Sequence, residues 1–201
     1  MRFDRKSADY QENMEAFHEM EDCVPDVYQE FLDTPAAFLN GEKPGTFFDQ
    51  YDDPVFLIDW LTEYVHQDIS VPDMLLNRIS EIGEKAAPSL VELLKDDSQP
   101  EELRMHAISL LREIDSSLPY PLYVQWISRW DGEDELTENA VETLESDELA
   151  AQDIAQQIKS AYQDATNNGK VAFLSILSRT NAHREMAAQA IRLFETGPEL
   201  G

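Results

Sequence analysis

The chain is poor in basic residues, and this shortage narrows its function. Its 201 residues contain 15 Lys and Arg against 41 Asp and Glu, so the formal net charge is −26, and no segment is basic. A surface of this sign repels phosphate backbones and anionic lipid headgroups over a Debye length of roughly 8 Å. We therefore expect neither a nucleic acid nor a membrane as direct partner. The charge either keeps the protein in solution or attracts a basic protein or peptide.

Cysteine and long apolar runs are also scarce. The single cysteine, Cys23, excludes an intramolecular disulfide and a zinc site built on several cysteines. The N-terminal residues contain no apolar stretch of signal-peptide length. The longest apolar runs, at 55–58 and 171–178, are too short to span a bilayer. These features predict a cytoplasmic protein.

Residues capable of chemistry are scattered. The four histidines show no metal-ligand spacing, the seven glycines form no phosphate-binding loop, and no serine nucleophile motif occurs. His18, Glu19, Asp22 and Cys23 are a local group of metal-capable side chains, but helical spacing turns the last two partly apart. The sequence therefore predicts no catalytic, cofactor or metal site. We expect a binding protein more than an enzyme.

Apolar residues recur at helical spacing almost throughout, as in the stripe of Leu103, Ala107 and Leu111. Asp53 is a predicted N-cap, and Gly83 a predicted helix end. The sequence thus predicts an all-α protein. Helices are expected near 7–20, 25–32, 35–40, 54–66, 72–82, 85–95, 100–114, 120–130, 136–145, 148–163, 169–179 and 182–195.

Residues 84–114 read as a helix, a polar turn and a second helix, and they resemble a HEAT repeat of the short bacterial lyase type. Fainter echoes occur about 32 residues before and 33 residues after this unit, where Ala140 and Leu144 follow Ala107 and Leu111. Residues 184–194 keep every interval of the second helix. The matching residues are Ala87, Pro88, Leu90, Leu93, Leu94, Asp96, Asp97, Arg104, Ala107, Leu110, Leu111 and Ile114.

The resemblance implies a right-handed α-solenoid of stacked antiparallel helix pairs, a HEAT-like superhelix in which each pair buries its apolar face against the next. It also implies that Arg104 bonds the acidic turn at Asp97. We assign residues 54–201 to this repeat domain. Residues 1–53 are expected to form an N-terminal helical cap, ending in an irregular linker at 41–53.

In HEAT-like stacks the second helices line the concave face, so the resemblance implies an acidic trough. The leading hypothesis is a non-catalytic scaffold or adaptor whose trough binds a basic protein or peptide. The alternatives are an acidic inhibitor or immunity protein of a basic nuclease, and an enzyme of the bilin-lyase type by resemblance alone. The predicted trough residues are Asp73, Asn77, Glu81, Glu101, Arg112, Glu138, Glu142 and Glu145.

Two aromatic groups carry a second hypothesis. Phe47, Phe48 and Tyr51 lie in the irregular segment, while Trp126 and Trp130 follow two tyrosines along one predicted helix. Core packing accounts for most such residues. The alternative is a groove for a partner peptide or helix, because aromatic side chains dominate binding hot spots.

Overall fold

A computed structural model of the chain describes residues 22–146 and 148–179, which form helices and turns with no strand among them. The chain begins there with α1, at 22–33. Two 3₁₀ helices follow, Ala37–Leu39 and Pro44–Gln50. The other α-helices are α2 (Pro54–His66), α3 (Asp73–Ile82), α4 (Ala87–Lys95), α5 (Glu101–Glu113), α6 (Tyr120–Arg129), α7 (Glu135–Ser146), α8 (Glu148–Asp153), α9 (Ala155–Ala161) and α10 (Asn167–Ile176). Shorter 3₁₀ helices, Gly83–Lys85 and Leu177–Arg179, follow α3 and α10.

Local signals in the sequence account for the ends of several helices. The Asp53 side chain accepts a hydrogen bond from the Val55 amide at 3.0 Å, and Pro54 occupies the first helical position of α2. Gly83 has a φ of +70° and ends α3, as predicted. The Thr166 hydroxyl accepts from the Gly169 amide and caps α10 in the same way. The prediction of α2 was correct at both ends.

Two predicted helices differ from the structure. The expected helix at 35–40 is a single 3₁₀ turn. Asn40 and Gly41 have positive φ, so the chain turns back and the Gly41 amide donates a hydrogen bond to the Ala36 carbonyl. The expected helix at 148–163 is divided by a turn at Ile154. Ile154 and Ile158 are nevertheless both buried, so the apolar stripe continues across the turn. The helices predicted at 7–20 and 182–195, and the repeat-like residues 184–194, lie outside the described residues.

The helices pack in a regular order along the chain. Sequential neighbours pair as α2 with α3, α4 with α5 and α6 with α7, while α3 packs on α5 and α5 on α7. In addition, α2 packs on α4 and α6 packs on α9, and α10 lies against both α6 and α7. One continuous apolar core runs from Phe48 to Leu177. Among the described helices, none is long and apolar enough to cross a bilayer.

Candidate binding surface

The predicted trough residues lie on three helices that neighbour one another. Asp73, Asn77 and Glu81 are on α3, Glu101 and Arg112 on α5, and Glu138, Glu142 and Glu145 on α7; all eight side chains are exposed. Because α5 packs between α3 and α7, the structure brings the three groups onto adjacent helices. Six of the eight are carboxylates, so the predicted surface is mainly acidic.

Glu81 differs from the other predicted residues because it is held in an ion pair. Its carboxylate lies 3.1 Å from the guanidinium of Arg78, which also pairs with Asp52. The Arg78 Nε donates to the Tyr51 carbonyl at 3.0 Å. Arg78 therefore links the segment before α2 to α3. Its ion pair with Glu81 neutralises part of the negative charge of that carboxylate.

Arg112 borders a cavity of about 210 Å³ between α5, α6 and α7. Tyr123, Thr143 and Ser146 also line the cavity. Burial raises the pKa of the Tyr123 phenol far above its usual range, and Tyr120 adds to the rise while Arg112 opposes it. The phenol is therefore protonated at neutral pH and cannot act as a general base there.

The turn between α4 and α5 is built around Arg104. Its guanidinium lies 3.0 Å from the Asp97 carboxylate, its Nε donates to the Leu94 carbonyl at 3.2 Å, and it stacks 5.4 Å from the centre of the Trp126 ring. The Arg104 side chain is only 13% exposed. The contact that the resemblance implied between Arg104 and Asp97 is confirmed, and its role is to join α4, α5 and α6.

A second pocket lies at the end of α6 and the turn that leads into α7. It encloses about 240 Å³, and its walls are Trp126, Arg129, Trp130, Asp131, Asp134 and Thr137. The Trp130 Nε1 is buried without an acceptor. Of the aromatic residues on this helix, Tyr120 and Tyr123 are buried in the core, whereas the two tryptophans are half-buried. Core packing thus explains the tyrosines, and the tryptophans border open space.

The other aromatic group, at the start of the helical array, packs mostly against itself. Phe47 stacks on Trp60 with centroids 5.8 Å apart and rings 7° from parallel, while Phe48 and Tyr51 contact Trp60 edge-on. The prediction located the first three rings; Trp60 was missed because a tryptophan on an amphipathic helix reads as ordinary core. An open groove of about 360 Å³ remains beside Phe47 and Trp60.

The structure also bears on the expected absence of a metal site. Within the described range, no group of three His, Cys, Asp or Glu side chains is placed to hold a metal ion. Cys23 is an exposed free thiol, and Asp22 beside it is also exposed. The other two members of the group considered from the sequence, His18 and Glu19, lie outside the described residues.

Sequence reasoning missed the close contact between α10 and α6. A Cβ on Gly169 would lie 2.2 Å from the Ile127 carbonyl oxygen, so only glycine allows this approach. The Thr166 amide donates to the Ser128 carbonyl at 3.0 Å, while the Thr166 hydroxyl and the Asn168 amide group bond the carbonyls of Trp130 and Asp131. The signal that was available is a glycine inside a helical pattern, which marks close packing.

Comparison of the chain with models of known protein families, with curated proteins and with solved structures found no match.

Proposed function

We propose that the chain is a non-catalytic binding protein, a HEAT-like right-handed solenoid whose concave face takes a basic protein or peptide. The support for the solenoid is the order of packing. Second helices of successive pairs contact one another, α3 with α5 and α5 with α7, and the first helices of the first two pairs also contact, α2 with α4. A stack of two-helix units has these contacts, because each unit lends its apolar face to the next.

The observation that carries the function is the acidic surface on α3, α5 and α7. Glu138, Glu142 and Glu145 recur at spacings of four and three, so they share one face of α7, and each is exposed. Across the whole chain the net charge is −26, which attracts cationic partners at long range and speeds their association.

The test compares two variants with equal charge changes. One replaces Glu138, Glu142 and Glu145 with Gln. The matched control neutralises three exposed acids on and just after α2, by Asp59→Asn, Glu63→Gln and Asp68→Asn. Binding of a ten-residue arginine–lysine peptide is measured by calorimetry at low and physiological salt.

We expect the α7 variant to lose most of the affinity and the α2 control to keep it. Wild-type affinity should fall as salt rises, because screening weakens charge attraction. Equal losses in both variants would reduce the effect to net charge and contradict a dedicated face. An inhibitor of a basic nuclease would need the same surface. That alternative is tested by measuring whether the wild type inhibits a candidate nuclease and whether the α7 variant loses this inhibition.

A further inference from the structure

The α4/α5 pair and the neighbouring α6 together form a complete binding arrangement for a guanidinium group. Arg104 extends from α5, lies over the indole of Trp126 at 5.4 Å and pairs with Asp97 in the turn at 3.0 Å. An indole face and an aspartate together suit a planar cation, since the ring attracts it electrostatically and the carboxylate bonds it. Arg104 therefore shows that the turn end of a helix pair can bind a guanidinium group.

In the next pair, the residue equivalent to Arg104 is a threonine. Ala140 and Leu144 follow Ala107 and Leu111 by 33 residues, and the same offset places Thr137 at the position of Arg104. Thr137 is buried and lines the 240 Å³ pocket at this position. The α6/α7 pair therefore has a cavity where the α4/α5 pair has an arginine side chain.

The walls of this pocket repeat the chemistry around Arg104. Trp126 and Trp130 supply indole surface, and Asp131 and Asp134 supply carboxylates from the turn. Each aspartate accepts hydrogen bonds from its own turn, Asp131 from the Glu133 amide and Asp134 from Thr137, and among the described residues neither has an ion pair. Both therefore retain capacity to accept from a cation.

One residue of the pocket works against a cation. Arg129, at the end of α6, also lines the cavity and carries the same charge as the expected ligand group. It is exposed, so its charge is screened by solvent more than a buried one would be. A bound guanidinium would therefore lie on the aspartate side of the pocket.

We infer that this pocket receives an arginine side chain of the partner, which takes the place that Arg104 occupies in the preceding helix pair. The inference rests on the proposed function, because it names the group of the basic partner that is recognised and where it docks. Two carboxylates against one guanidinium give the pocket itself a net negative charge, complementary to that side chain. The pocket thus selects arginine over lysine by the planar shape of the guanidinium group, since the two side chains carry the same charge.

The experiment compares hexa-arginine with hexa-lysine, two peptides of equal charge. The chain contains three tryptophans, so nitrogen-15 spectra contain three indole N–H signals, assigned by Trp60→Phe and Trp130→Phe. We expect hexa-arginine to bind about threefold or more tightly than hexa-lysine, because a guanidinium stacks on indole and bonds a carboxylate in a plane. Its binding should shift the Trp126 and Trp130 signals and leave Trp60 unmoved.

Two variants should change the affinity for hexa-arginine in opposite directions. Asp131→Asn should lower hexa-arginine affinity and narrow its advantage over hexa-lysine, whereas Arg129→Gln should raise the affinity. Asp59→Asn on α2 is the charge-matched control for Asp131→Asn and should leave the arginine preference unchanged. Equal affinities for the two peptides, with the Trp130 signal unmoved, would overturn the pocket while leaving the proposed acidic face intact. Failure of both peptides to bind at low salt would overturn both proposals.

Discussion

Arg104 joins three helices through its side chain. It bonds the Leu94 carbonyl at the end of α4, pairs with Asp97 and stacks on Trp126 of α6. Arg104→Ala should lower the free energy of unfolding by about 2–4 kcal/mol, because the mostly buried guanidinium is lost with its hydrogen bond to the Leu94 carbonyl and its contact with the Trp126 ring. Urea denaturation monitored by circular dichroism measures this loss.

The partner residue supplies the control. The Asp97 side chain is 88% exposed, so Asp97→Asn should cost less than about 1 kcal/mol, as exposed ion pairs usually do. If the two variants lost the same stability, the ion pair alone would explain Arg104, and its contacts with the carbonyl and the indole would contribute nothing.

Single residues were predictable where the partner lies nearby in sequence. Asp53 caps the helix that starts at the next residue. The bond between Arg104 and Asp97 was implied by the resemblance to a repeat family and not by spacing. By contrast, Arg78 bonds Tyr51 across 27 positions, and Gly169 packs on Ile127 across 42 positions. Those contacts depend on which helices become neighbours, and that information is not contained in local spacing.

At the scale of an element, the turn between α4 and α5 is held by a small network of its own. The Asp96 carboxylate accepts from the Ser98 amide at 3.0 Å, the Ser98 hydroxyl at 2.6 Å and the Gln99 side chain at 2.9 Å. The hydroxyl bond from Ser98 is the largest cause that lowers the pKa of Asp96 below its usual value, followed by the Gln99 bond. The Ser98→Ala variant should therefore raise the pKa of Asp96 toward that value.

A carbon-13 titration of the Asp96 carboxyl measures this shift directly. Because the folded-state pKa is the lower one, the contribution of Asp96 to stability is fully present above its unfolded pKa, and is lost as the pH falls through the folded pKa. Ser98→Ala should therefore lower the free energy of unfolding at neutral pH, and this difference from the wild type should shrink as the pH falls through the folded pKa of Asp96. An unchanged titration curve in the variant would show that the amides alone hold the carboxylate.

Elements were predictable where capping and periodicity agree. The helix α2 combines Asp53, Pro54 and a regular apolar stripe, and its predicted bounds match the structure. The region 148–163 has an equally regular stripe, and periodicity alone cannot report a turn that keeps this stripe buried on both sides of Ile154. The pocket at Thr137 was not predicted either, since a cavity reflects how α6, the turn after it and α7 meet.

At the scale of the whole molecule, the open question is whether the helices behave as a stack or as one closed core, and Gly169 offers the test. Gly169→Ala introduces a Cβ at 2.2 Å from the Ile127 carbonyl and must push α10 away from α6. We expect a loss of about 1–3 kcal/mol, the usual cost of overpacking, although alanine otherwise favours a helix. Ser175→Ala, at an exposed position of the same helix, is the control that isolates helix propensity.

Hydrogen exchange of the backbone amides measures which helices lose stability in the Gly169→Ala variant. In a stack each unit contacts only its neighbours, so Gly169→Ala should reduce the protection of amides in α6 and α10 while α2 and α3 retain theirs. In a closed core the slowest amides everywhere would lose protection by the same free energy, since all would exchange through one global opening. A uniform loss would therefore contradict the solenoid, and with it the concave face on which the acidic residues of α3, α5 and α7 are proposed to bind.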